Sequence, residues 1–79
     1  MKKIVNVYPL DNYEILVEFE GGEKRIKDMK PYLNKGVFSK LNDKEFFKSV
    51  KVVFDSVSWN DEIDMCADSI YESSTEYKQ

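Results

Sequence analysis

The chain has 79 residues, 42% of them hydrophobic and 14% aromatic, and a formal net charge of −3. This length makes one domain that buries somewhat more than roughly 60% of its unfolded surface, so large aromatic side chains must supply much of the core. The composition excludes intrinsic disorder. No run of about 18 apolar residues exists to form a transmembrane helix, and the negative charge speaks against nucleic acid as the default partner.

The charge is unevenly spread. Residues 23–54 carry nine basic and four acidic residues, whereas residues 55–77 carry seven acids and no base. The two segments are expected to attract and screen one another; the alternative is two opposed faces that select a partner. Cys66 is the only cysteine, so no intramolecular disulfide can form, which fits a reducing compartment. The N-terminal Met1-Lys2-Lys3-Ile4-Val5 begins like a signal peptide, but Asn6, Pro9 and Asp11 interrupt it. A soluble, cytoplasmic protein is expected, without membrane association.

In chain order, Ile4, Val5 and Val7 suggest a first strand ending at Tyr8-Pro9, with Asp11-Asn12 as a turn. Tyr13, Ile15, Val17 and Phe19 then alternate with Glu14, Leu16, Glu18 and Glu20. That period of two predicts a strand with one buried face. Gly21-Gly22 suits a tight turn, and the returning strand, from Glu23 to Asp28, would put Ile26 in step with the buried face. A hairpin over 12–28 follows.

Pro31 cannot donate to a ladder and closes the strand region. Val37, Phe38 and Leu41, then Phe46, Phe47 and Val50, recur at helical spacings, and Asp43 can cap a second short helix from Lys44. These stripes read as core under a Lys-rich outer face. Val50, Val52 and Phe54 alternate again, and Val57 with Trp59 continues beyond a break at Asp55-Ser56, giving a further hairpin or bent strand. An acidic loop anchored by Ile63 and Met65 follows, then a helical turn near 67–72. The sum is an α+β fold: a small antiparallel sheet in the order β-β-β-α-α-β-β, short helices on one face, a single domain over 1–72 and a frayed tail over 73–79.

The sequence has no histidine, which removes Ser-His-Asp and Cys-His catalysis, imidazole acid–base chemistry and His-containing zinc sites. Cys66, without a histidine or second cysteine, reads as a packing residue. Residues Asp61 to Glu72 begin and end like a calcium loop, but Ile63 and Met65 occupy ligand positions and no glycine stands at the sixth. Asp61, Glu62, Asp64 and Asp68 read as a solvated acidic loop, since paired-carboxylate chemistry needs a cleft that so short a chain can hardly build. No catalytic residue, metal or cofactor is expected. Trp59 has two readings, core packing first and interface anchor second; with Asp61 and Asp64 it forms the candidate interaction surface.

The ordered set Phe19-x-x-Gly22, Asp28, Leu33, Gly36-x-Phe38-x-x-Leu41 and Phe46, followed by Trp59-x-x-x-x-Asp64 and Ile70-Tyr71, resembles the small bacterial family called domain of unknown function 2442. The resemblance spans roughly residues 4–72. Family members usually show Trp-Pro-Asn-Gly before the aspartate; here Asn60, Asp61 and Glu62 stand in that place, without the proline and glycine that set the loop's geometry. The resemblance implies a small α+β fold and no established activity. Some relatives carry an appended helix-turn-helix domain, which this sequence is expected to lack, and some are encoded beside toxin–antitoxin-like proteins.

The expected role is therefore a non-catalytic protein-interaction or regulatory module, with service as an accessory to a toxin–antitoxin-like system as one form of it. Its expected partner is a protein, and a basic one, with self-association also open. The alternative is a nucleic-acid-associated domain using Lys40, Lys44, Lys48 and Lys51, disfavoured because aromatic-interleaved recognition motifs are missing.

Overall fold

A computed structural model describes residues 2–77. Among the described residues, seven strands and two short α-helices form an α+β fold, but the strands divide between two antiparallel sheets instead of one. The first contains β1 (Ile4–Pro9), β2 (Glu14–Phe19), β3 (Lys24–Asp28) and β7 (Thr75–Glu76), adjacent in that order. The second contains β4 (Val50–Val53), β5 (Ser56–Trp59) and β6 (Ile63–Met65). No helix among the described residues is long and apolar enough to cross a membrane.

The period-two pattern of β2 works as expected for Ile15, Val17 and Phe19, all buried. Tyr13 differs. Its φ of 62° places it before the strand, half-buried, with its ring edge-on to Phe47 at 5.4 Å and its hydroxyl donating to the Asn42 carbonyl at 2.8 Å.

β3 presents the opposite face from the one expected. A two-residue Gly21-Gly22 turn would set Ile26 across from Val17, yet Val17 pairs with Arg25 and Ile15 with Lys27. The Phe19 N–H donates to the Glu23 carbonyl, leaving Glu20, Gly21 and Gly22 as the loop. Both glycines take φ of 101°. One extra loop residue slips the register by one and turns every β3 side chain over.

Two cations therefore face the core side. Lys27, only 4% exposed, donates to the Tyr32 hydroxyl at 2.9 Å and Ser73 Oγ at 2.7 Å, satisfying a buried ammonium without a carboxylate. Arg25 donates to Ser74 Oγ and to the Ser74 carbonyl at 2.7 and 2.8 Å, and lies over the Tyr71 ring. These bonds draw in the segment expected to fray. Ser74 is buried and Thr75–Glu76 completes the sheet; Lys78 and Gln79 lie outside the described residues.

Between the sheets, Lys30–Tyr32 and Gly36–Asn42 form 3-10 turns, and Lys44–Lys48 forms α1. Asp43 caps α1 as expected, accepting from the Glu45 N–H at 3.0 Å. Leu41 and Phe47 are buried, while Val37 is exposed. Helix α2 (Ala67–Ser73) buries Ala67 and Ile70. The core joins both sheets: Ile4, Ile15, Val17, Met29, Leu41, Val57, Trp59 and Ile70 are fully enclosed. Each such side chain contributes about 1.5–3 kcal/mol, the dominant favourable term for so short a chain.

Candidate functional site

β4 and β5 close through Phe54 and Asp55, because Val53 pairs with Ser56 and both intervening residues take positive φ, 50° and 68°. This turn matches the twist of a hairpin, but its usual residues are asparagine, aspartate and glycine. The expected strand alternation through Phe54 thus ends one residue early, and the ring is thrown outward, 95% exposed. Two costs coincide at this residue. Left-handed backbone costs a side chain-bearing residue roughly 1–2 kcal/mol, and the exposed ring forgoes about 1.5–3 kcal/mol of burial.

Strand alternation sends Val57, Trp59 and Ile63 into the core and Lys51, Val53, Ser56, Ser58 and Asp64 to the opposite, outer face. A shallow depression of about 430 Å³ opens there beside Phe54, walled by Val53, Val57, Ser58, Asp61, Asp64 and Cys66. Lys51, Ser58 and Asp64 lie in one cross-strand row. Lys51 Nζ stands 3.6 Å from Asp61 Oδ2, whereas Asp64 makes no ion pair or hydrogen bond with the described residues.

Of the three residues expected to form an interaction surface, the structure unites two. Asp61 and Asp64 are exposed and share the depression. Trp59 is a correction: at 0% exposure it lies in the core, its ring tilted against Phe47 at 6.4 Å, because its position in β5 faces inward. Its indole N–H finds no acceptor among the described residues, a cost of about 1–3 kcal/mol that burial of the ring offsets. Sequence reasoning missed Phe54. The one available signal was Asp55, which tolerates positive φ and so permits a turn at that point.

The segment after Trp59 is more ordered than an acidic loop. Asn60 and Asp61 take φ of 54° and 59°, the Glu62 N–H donates to the Trp59 carbonyl, and β6 returns along β5. Asparagine and aspartate are the non-glycine residues most tolerant of this conformation, so they make the turn without a glycine. Glu62 also pairs with Lys40, whose ammonium holds the Glu62 carboxyl below its usual range. The basic and acidic segments thus meet, and Lys40 and Lys51 are both engaged. Lys44 and Lys48 border a separate cleft of about 170 Å³ with Tyr13 and Phe47. Among the described residues no group of three or more histidine, cysteine or acidic side chains is placed to hold a metal ion.

Neither a curated protein nor a solved structure matches the chain. One family model, described as "Protein of unknown function (DUF2442)", matches residues 4–76, from the first strand through the last. With nearly its whole length covered, the chain belongs to the domain of unknown function 2442 family.

Proposed function

We propose that the chain is a cytoplasmic, non-catalytic protein-interaction module that works through Phe54 and the outer face of β4–β6. The carrying observation is Phe54 itself, a large apolar ring held 95% exposed on a left-handed backbone beside a depression. A fold gains nothing from such a residue, whereas an interface gains a buried aromatic anchor when a partner covers it. The free, exposed Cys66 suits a reducing compartment, and without a histidine or second cysteine it lacks the neighbours of a catalytic thiol. A nucleic-acid role for the lysines is less well supported, because Glu62 and Asp61 engage Lys40 and Lys51.

Affinity copurification from the native host, run in parallel with wild-type and Phe54→Ser chains, tests this reading. A stoichiometric protein retained by the wild type and lost from the variant is the expected result. Equal recovery by both chains, or recovery of nucleic acid alone, contradicts it.

A further inference from the structure

We propose that the outer face of β4–β6 receives an extended, basic segment of a partner protein, an apolar side chain against Phe54 and a lysine or arginine at Asp64. This rests on the interaction reading above and adds the chemistry of the partner.

Ser58 supplies the first argument. The residue lines the depression, and its hydroxyl, reachable from solvent, makes no hydrogen bond with the described residues. A hydroxyl that opens on the depression and is unpaired within the fold can donate to or accept from a ligand that displaces its water. Charge supplies the second. Asp64 lies directly across from Ser58, exposed and unpaired, with Asp61 on the same wall. The cation of that row, Lys51, is turned to Asp61 and leaves Asp64 uncompensated. Such a surface attracts a guanidinium or ammonium and repels carboxylates and phosphates.

Topology supplies the third. β6 is an edge strand of its sheet, so an incoming strand can add to it while alternate side chains fall on the outer face. Added beside Asp64, such a strand sets its basic side chain next to the carboxylate. The apolar contact is provided by Phe54 and Val53 at the hairpin end of the depression.

Random dodecapeptides displayed on phage, selected on the full wild-type chain and counter-selected on Phe54→Ser, test the proposal. Enriched sequences are expected to carry lysine or arginine next to large apolar residues. As synthetic peptides they should lose at least about thirtyfold in affinity on Phe54→Ser, the loss typical of a central aromatic anchor. On Asp64→Asn they should lose about threefold and show a shallower salt dependence. Both substitutions fall on exposed side chains, and unchanged circular-dichroism melts would establish that the variants fold. Acidic or uncharged peptides that still depend on Phe54 would overturn the basic assignment and leave the interaction reading standing. Peptides that bind both chains alike, or no enrichment, would overturn both. A wild-type dimer that Phe54→Ser converts to a monomer on sedimentation would replace the basic peptide with a second copy of the chain.

Discussion

The two sheets solve the same problem in opposite ways. In the first, the side chains that depart from simple apolar packing are tied down: Arg25 reaches Glu23 and Ser74, Lys27 reaches Tyr32 and Ser73, and Tyr71 donates to Glu23 while packing edge-on against Phe19. Lys2 and Arg25 both lie over the Tyr71 ring, at 4.0 and 4.4 Å from its centroid. In the second, the core face is equally well filled, but the outer face leaves Phe54, Ser58 and Asp64 without partners. Apart from the Trp59 indole N–H in the core, the polar groups that serve the fold are satisfied within it; those left open on the surface mark where the molecule has something to meet.

The contrast breaks first at Trp59, the core side of the second sheet. Trp59→Ala should cost about 3–5 kcal/mol, as truncation of a buried aromatic does, and most of a small domain's stability could go with it. Urea denaturation checks this; a loss under about 1 kcal/mol would mean that the ring is not packed as described.

Arg25→Ala tests the first sheet. It removes both bonds to Ser74 and should cost about 1–3 kcal/mol. The effect should concentrate at the C-terminal strand, where the Tyr77 N–H donates to the Lys24 carbonyl, so amide exchange at Tyr77 should accelerate more than exchange in β2.

The smallest effect is expected at the bridge between the basic and acidic segments. The hydrogen bond from Lys40 holds the Glu62 carboxyl below its ordinary value of 4.5 in the folded chain. A carboxylate so depressed contributes stability that is present above its unfolded value and lost as pH falls through the lower folded value. Glu62→Gln should therefore lower stability slightly at neutral pH and flatten the acid limb, and the two chains should converge at low pH. The effect stays small because both partners are exposed, and melts across the acidic range measure it. Glu23, held low first by its hydrogen bond from Arg25 and further by Tyr71, adds to the same acid limb on the first sheet.

How much was legible in the sequence follows the same division. β1, β2, the cap at Asp43 and the helical turn at 67–72 were readable, because alternation, capping chemistry and helical spacing are local signals. The face of β3 was not, since one loop residue decides it and Gly-Gly serves loops of two residues or three. β7 was hidden because its two residues depend on Arg25 reaching Ser74 across 49 positions of sequence. At the site, the acidity of Asp61 and Asp64 was plain, but the turn at Phe54 was not, as phenylalanine is the last residue one expects there. Placing that turn one residue earlier takes Phe54 out of the buried alternation and makes it a surface ring, while Trp59 takes the core packing that was its first reading.

The central claim is that Phe54 is kept for something outside the fold, and urea denaturation of Phe54→Asn tests it most directly. Asparagine suits the left-handed position and exposes no ring. The variant should match the wild type or exceed it by up to about 1 kcal/mol, with an unchanged denaturant slope. A loss of more than about 1 kcal/mol would show that the ring supports the fold, and would contradict the account.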